Sequence, residues 1–229
     1  MRYFDDLLAL FFPRICPACG NSLWKHENCI CTSCEYYLPE TGFHKDPGNP
    51  VTDLFTGRVN TEAAAAWLYY SKGGRVQRLI HALKYKGRKD IGVHMGFLYG
   101  QALKDAAGFN NAITVVPVPL HKKKYMKRGY NQSEQIAIGI GKAMNIPVDR
   151  HLLLRDRATD TQTRRSRYDR HLNVENVFRV PFPEKHAGMH LLLVDDVVTT
   201  GSTLESCILA LGAIPDVKVS VACLASAVL

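Results

Sequence analysis

The 229-residue chain predicts an α/β protein: a mostly parallel, doubly wound sheet with a small separate module ahead of it. Three observations carry this. From residue 59 onward, apolar runs of strand length alternate with segments whose apolar residues recur at helical spacing. That alternation is the pattern of βαβ units, which place parallel strands between helices. Before residue 59 the periodicity is missing, and five of the seven cysteines crowd into that stretch. The composition, 46% hydrophobic and 22% charged, is that of a globular protein with core enough for one ordinary domain plus a small module. The expected division is therefore 1–58 for the module and its linker and 59–229 for the α/β domain.

The N-terminal segment "MRYFDDLLALFFPRICPACG" contains "LLALFFP" as its longest apolar run. This is too short for a membrane span, and Asp5 and Asp6 ahead of it are wrong for a signal peptide. It reads as a short helix packing on the body. No other segment approaches a membrane span, and the expected compartment is the cytoplasm. There the cysteines are thiols or metal ligands rather than disulfides. "EYYLPETGFHKDPGNP" is rich in turn-formers and reads as irregular linker. "AAAAWLYY" is a strand or a short helix. "RVQRLIHALKYKG" places Val76, Leu79, Ile80 and Leu83 on one helical face, with Gly87 as a stop. "DIGVHMGFLYGQALKDA" is a second helix, and "AITVVPVPL" is a buried strand ended by prolines. "YNQSEQIAIGIGKAMN" is helical, with Asn131 or Ser133 as its cap. "MHLLLVDDVVTTGS" is strand then turn, "TLESCILALGA" a helix, and "VKVSVACLAS" a strand. There is no internal repeat and no low-complexity tract.

The cysteines form a second pattern. Cys16-Pro-Ala-Cys19 and Cys31-Thr-Ser-Cys34 make a CxxC…CxxC pair with an eleven-residue gap. Each CxxC is a tight knuckle that aims two thiolates at one point. Two knuckles close a tetrahedral zinc site, with Zn–S bonds of about 2.3 Å. Gly20 suits the sharp turn after the first knuckle. Four thiolates leave no open coordination position, so the expected zinc is structural and stabilises a module too small for its own core. Cys29 stands two residues before Cys31 and is an alternative third ligand. Cys207 and Cys223 fall in apolar helix and strand patterns and read as core.

The chemistry concentrates in "LLLVDDVVTTGSTLES", residues 191–206. In open α/β sheets, ligands bind at the carboxyl ends of strands, and Asp195 and Asp196 are expected to stand at such an end. The following turn opens a helix, whose free N–H groups and dipole attract an anion. Gly201 lets the backbone approach closely, and Thr199, Thr200, Ser202 and Thr203 offer hydroxyl donors. The two carboxylates repel that same anion. They suit the vicinal hydroxyls of a ribose, and a divalent cation. The stretch thus fits a ribose 5-phosphate. The plainer alternative is an Asp helix cap followed by Thr-rich capping. Charge adds a pointer: residues 121–170 carry thirteen Lys/Arg against five Asp/Glu, which accounts for the whole net charge of +8. A confined basic surplus fits an anionic ligand such as pyrophosphate, a nucleotide or nucleic acid, or else is a solvated face.

"LLLVDDVVTTGST" resembles, without a gap, the PRPP-binding signature of the type I phosphoribosyltransferases (PRPP, 5-phosphoribosyl 1-pyrophosphate). With the double CxxC, "VPVPLHKKKYMKRGYNQSEQIA" and "TQTRRSRYDRHLNVENVF", nearly all of residues 13–228 resemble the ComF family. These are competence-associated proteins that join a zinc module to a phosphoribosyltransferase domain. The resemblance implies a type I phosphoribosyltransferase-like fold with a zinc-ribbon-like module. It also implies that Asp195 and Asp196 hold the ribose 2- and 3-hydroxyls and that Thr199, Thr200, Gly201, Ser202 and Thr203 cradle the 5-phosphate. Pro119, Leu120, His121 and Lys122 would form the pyrophosphate loop. Arg164, Arg165, Arg167 and Arg170 would lie on or near a flexible loop that closes over the substrate. "LKYKG", residues 83–87, is also family-like, with no role that its chemistry assigns.

A transferase of this kind needs little covalent chemistry. Pyrophosphate leaves C1 of the ribose, Mg²⁺ and Lys/Arg neutralise it, and an acceptor is held in line. The sequence does not name the acceptor. The glutamine amidotransferases that share this fold use an N-terminal cysteine in a separate domain. Residue 2 here is Arg, and that activity is not expected. Two expectations remain. One is a PRPP-binding accessory protein of DNA uptake that contacts single-stranded DNA and DNA-uptake proteins, with Tyr125, Tyr130 and Tyr168 available for stacking. The other is a metabolic phosphoribosyltransferase acting on a small nitrogen nucleophile.

Overall fold

A computed structural model describes residues 13–155 and 177–228. Two short helices precede the sheet: α1 (Thr32–Tyr36) and α2 (Pro50–Asp53). Then follow β1 (Ala63–Tyr69), α3 (Arg75–Tyr85), α4 (Lys89–Leu103) and β2 (Thr114–Pro117). Next come α5 (Lys122–Arg128) and α6 (Gln132–Met144). A small antiparallel pair, β3 (Leu154–Arg155) and β4 (Phe178–Arg179), precedes β5 (His190–Val198), α7 (Ser202–Leu211) and β6 (Lys218–Ser226).

The main sheet has the order β1-β6-β5-β2, and every neighbouring pair is parallel. β5 is an inner strand because its first five residues are apolar or neutral and buried on both faces. Its side chains alternate: Leu192 and Val194 enter one core with Leu83, Met95, Tyr99 and Ile136, while Leu191 and Leu193 enter the other with Phe55, Leu204 and Leu211. Helices therefore cover both faces, as a doubly wound sheet requires. "AAAAWLYY" resolves as strand.

The two cores differ in helix packing. α4 and α6 approach so closely that a Cβ on Gly96 would stand 2.2 Å from the Ile136 carbonyl oxygen. One on Gly139 would stand 2.2 Å from the Val93 carbonyl oxygen. At these two positions only hydrogen fits.

The stretch read as irregular linker is more ordered than expected. Thr41 N–H donates to the Trp67 carbonyl at 2.8 Å and Tyr69 N–H to the Pro39 carbonyl at 2.9 Å, so residues 39–41 cover the outer edge of β1. Asn49 caps α2 through its Oδ1, and its Nδ2 donates to the Ala64 carbonyl at 2.8 Å. The turn-formers are real, but their free backbone groups find partners on the sheet edge. Cys16, Ile30 and Cys34 belong to the same core as α3 and α4, so the cysteine module packs directly on that face. The expected helix around "LLALFFP" lies outside the described residues. Among the described residues, no helix is long and apolar enough to cross a membrane.

Candidate functional site

The cysteine cluster assembles from two knuckles and one cap. The Sγ atoms of Cys16, Cys19, Cys31 and Cys34 all lie within 4.8 Å of one another, with Cys19 and Cys31 at 3.7 Å. Four thiolates at about 2.3 Å from one zinc ion are about 3.8 Å apart, so the donor set fits that metal. Backbone N–H groups point at the sulfurs, as in Cys31 N–H to Cys16 Sγ at 3.3 Å and Cys34 N–H to Cys31 Sγ at 3.4 Å. Burial pushes the Cys16 thiol up, but N–H groups of Cys31, Cys19 and Ala18 more than offset it and bring it to about 7. Cys29 is not part of the cluster. Burial and the nearby Asp90 charge push its thiol up to about 12, and its carbonyl accepts from Arg88. Glu27 ties the inter-knuckle loop, its carboxylate accepting from Trp24 N–H at 2.8 Å and Thr32 N–H at 2.7 Å. Cys207 and Cys223 are fully buried core residues.

The acidic pair sits at the carboxyl end of β5, within its last four residues. β2 stops at Pro117, opposite Val194, while β6 continues alongside β5 to Ser226. Beyond Val194, β5 therefore has no strand partner on the β2 side. Asp195 Oδ1 accepts from Ser133 Oγ at 2.8 Å and from Asp196 N–H at 2.8 Å. Asp196 Oδ1 pairs with Lys84 Nζ at 2.7 Å. Burial first, and then the Asp196 charge, raise the Asp195 carboxyl to about 7. Hydrogen bonds from Ser133 and the Asp196 N–H, and the charge of Lys84, act in the opposite direction.

After β5 the chain turns through Thr199 and Thr200, both exposed, to Gly201 at φ 75°. Gly201 is the N-cap of α7, and no side chain caps that helix start. Thr200 Oγ1 and Ser202 Oγ lie 3.1 Å apart. Together with Asp195 and Thr203 they line a hollow of about 50 Å³. Free N–H groups and hydroxyls facing a small hollow make a ready anion socket. Gly201 itself packs on a residue far away in sequence: Phe55 Cε1 stands 3.3 Å from where a Gly201 Cβ would be.

Pro119, Leu120 and His121 form the turn after β2, and His121 caps α5 by accepting from Lys123 N–H at 3.2 Å. Lys122 opens α5, a wholly unburied helix that carries five basic residues. Asn131, not Ser133, is the cap of α6; it also donates to the Val118 carbonyl at 2.9 Å and so ties the α6 start to the end of β2. Tyr125 is half exposed. Tyr130 is buried at 5% exposure, its hydroxyl donating to the Leu83 carbonyl, and so is not available for stacking on nucleic acid. Arg164, Arg165, Arg167, Arg170 and Tyr168 lie outside the described residues.

The sequence reading missed two partners of the acidic pair, Lys84 and Ser133. Lys84 belongs to "LKYKG", which now has a role: one turn of α3 supplies the cation for Asp196 and the carbonyl that receives Tyr130. Only the motif's odd juxtaposition of Lys84 and Gly87 at a helix end offered a signal.

A parallel sheet clad on both faces, a four-cysteine cluster packed on one of them, and an inner strand ending on two carboxylates define a doubly wound α/β protein with an added cysteine module. The chain is 34% identical over 129 residues to the DNA utilization protein YhgH of Salmonella typhimurium, covering 55% of this chain and 56% of that one. It is 35% identical over 96 residues to competence protein F of Haemophilus influenzae, 40% of each chain. It is 23% identical over 192 residues to competence protein ComFC of Bacillus subtilis, 84% of this chain and 69% of the other. The resemblance to the ComF family carried by the motifs is borne out by these relatives. At 34% identity the chain spans about half the length of the curated relatives it matches. No family model matches. Among solved structures, glutamine PRPP amidotransferase of B. subtilis, complexed with ADP and GMP, is 20% identical with a TM-score of 0.42, covering 62% of this chain and 30% of that one. Adenine phosphoribosyltransferase of Leishmania tarentolae is 10% identical with a TM-score of 0.37, covering 83% and 94%.

Proposed function

We propose that this protein binds a ribose 5-phosphate, with PRPP as the ligand. One observation carries the reading: an anion socket and a pair of carboxylates lie side by side on one strand end. The socket, at Thr199, Thr200, Gly201, Ser202 and Thr203, takes the 5-phosphate. Asp195 and Asp196 accept hydrogen bonds from the ribose 2- and 3-hydroxyls. The turn at Pro119, Leu120, His121 and Lys122, with the basic α5 behind it, takes the pyrophosphate. Carboxylates and hydroxyls are hard oxygen donors, of the kind that suits an accompanying Mg²⁺. The cysteine cluster holds one structural zinc ion, which leaves this chain's sheet end as the binding surface. Calorimetric titration with Mg·PRPP tests the reading. The wild type is expected to bind, and Asp195→Ala with Asp196→Ala to lose binding. Unchanged affinity in the double variant would remove the ribose assignment.

A second reading is nucleic-acid contact in support of DNA uptake. The basic helix α5, in which no residue is buried, favours it, as do the DNA-utilization and competence names of the relatives. Single-stranded DNA is then expected to bind with affinity that falls steeply with salt. Reversing the charges of Lys122, Lys123 and Lys124 is expected to weaken it. An oligonucleotide that does not bind at low salt would exclude this contact.

A further inference from the structure

Residues 43–49, part of the stretch that reads as linker in the sequence, form one wall of a cavity of about 420 Å³. The other walls are the start of β1, at residues 61–64, and the turn after α4, at residues 105–109. The volume falls in the range of small-molecule pockets, about 300 Å³ upward. The walls are fastened to one another. Asn49 Nδ2 donates to the Ala64 carbonyl at 2.8 Å and to the Asp46 carbonyl at 2.7 Å, and Thr52 Oγ1 donates to the Ala64 carbonyl at 3.1 Å. Gly108 lies so close to β1 that a Cβ on it would stand 2.7 Å from Ala63 Cβ. The strands of the sheet are parallel, so this cavity, at the amino end of β1, lies at the opposite end of the sheet from Asp195 and Asp196. β1 alone spans seven residues, about 20 Å.

His44 is the feature that points to a ligand. It lines the cavity and is only 6% exposed. Its Nδ1 is buried without a hydrogen-bond partner, and among the described residues none bonds its Nε2. Buried polar groups in folded proteins are nearly always satisfied, so an imidazole left unpaired beside an open space marks the place of a partner from outside the chain. Burial, and then the Lys45 charge, hold this imidazole below the usual histidine range against the pull of Glu40. It is neutral at pH 7 and keeps a ring-nitrogen lone pair that can accept an N–H.

The charges around it select the sign of the ligand. Asp46, Glu62 and Asp105 line the cavity and are exposed, while Lys45 is the one basic residue in the lining. Lys218 partly offsets Glu62 from outside, at 3.6 Å. The surplus is negative and disfavours an anion. It does not make a metal site either, because among the described residues only the four cysteines gather as metal ligands. Carboxylates spread around a space suit a cation with a body of its own. Phe43, Ala64 and Phe109 supply the apolar surface for that body.

We infer that this cavity is a second ligand site, for a small organic cation. The ligand is a protonated amine or guanidinium whose N–H donates to His44, whose charge is met by Asp46, Glu62 and Asp105, and whose apolar body rests on Phe43 and Phe109. The site stands apart from the ribose 5-phosphate reading and does not depend on it.

Benzylammonium, benzyl alcohol and benzoate share one body and differ in charge, and NMR titration of the full chain with each tests the site. Benzylammonium is expected to perturb the His44 ring resonances and to bind about tenfold or more tightly than benzyl alcohol, with benzoate weaker still. Asp46→Asn with Asp105→Asn is expected to reduce benzylammonium to the level of benzyl alcohol. Both side chains are exposed, and the amide oxygen at position 46 keeps the acceptor that Asp46 Oδ1 offers Gly48 N–H at 3.0 Å, so the fold is retained. If benzylammonium binds no more tightly than benzyl alcohol, the cavity does not select cations and the inference is overturned. It is overturned equally if benzylammonium binds and leaves the His44 ring unmoved, since the cation then sits elsewhere, on Asp195 and Asp196 above all. A double variant that binds benzylammonium as tightly as the wild type removes the carboxylates from the site and the inference with them.

Discussion

Asp195 shows at the scale of one residue what a buried pair of carboxylates costs the fold. Its carboxyl, near 3.9 in an unfolded chain, is raised to about 7 by burial and by the Asp196 charge. A raised carboxyl is neutral in both states at low pH. Between pH 4 and 7 the unfolded chain ionises while the folded chain resists, so stability is lost as pH rises and the loss is complete above about pH 7. Asp195→Asn keeps an acceptor for Ser133 and removes the charge. It is expected to stabilise the protein by about 1–3 kcal/mol at pH 8, and by much less at pH 4.5. Urea unfolding at the two pH values checks this, and an equal gain at both would contradict the assignment. Lys84 is the counterpart. Its side chain and that of Asp196 are only 21% and 13% exposed, so cutting the pair strands a partly buried carboxylate. Lys84→Met is expected to cost about 1–3 kcal/mol, and most of that cost is expected to vanish in an Asp196→Asn background.

Among elements, the tight seam is between α4 and α6. Gly139 lies 2.2 Å, in the Cβ sense, from a backbone oxygen that no rotamer change can move. Gly139→Ala is expected to destabilise by about 1–3 kcal/mol, read from the urea midpoint, despite alanine's better helix propensity. The same seam marks what the sequence could and could not reveal. Both helices are legible from periodicity, and so are β2, β5 and β6. The glycines of "GVHMGFLYG" carry no such signal, because a residue that leaves room for a neighbour looks identical to one that merely weakens a helix. α5 was invisible for a different reason. "KKKYMKR" has no apolar stripe, and its bounds are set by the His121 cap and by Gly129 at φ 76°. The strand–turn–helix of residues 191–206 was legible because one segment supplies the acidic pair and the hydroxyl-rich turn together. Its supports were not, since Lys84 stands 112 residues from Asp196 and Ser133 62 residues from Asp195. Only folding brings those charges and hydroxyls together.

At the scale of the molecule, α3 joins the cysteine module to the acidic pair. Arg78 Nε donates to the Ala18 carbonyl, inside the first knuckle, at 2.6 Å. Six residues on, about 9 Å along the helix, Lys84 holds Asp196. Further contacts fasten the same face: Arg88 Nη2 to the Cys29 carbonyl at 3.3 Å, and His94 to Glu35 at 2.8 Å. Cys16, Ile30 and Cys34 also share a core with Leu79 and Leu83 of α3. Without a metal, only weak contacts such as Cys31 N–H to Cys16 Sγ at 3.3 Å hold the four thiols together, while burial raises the Cys34 and Cys31 thiols. Opening the knuckles then frees the Ala18 carbonyl and exposes one side of α3. Metal analysis is expected to give one zinc per chain, and chelation to lower the thermal midpoint. Chelation is also expected to weaken ribose 5-phosphate binding by about fivefold or more, because Lys84 loses its fixed position. Arg78→Ala separates the two effects: it cuts the tie without touching either site. In that variant, chelation is expected to lower the midpoint still but to change the affinity less than in the wild type. If wild-type affinity is the same with and without zinc, the module stabilises the fold alone and α3 transmits nothing to the sheet end.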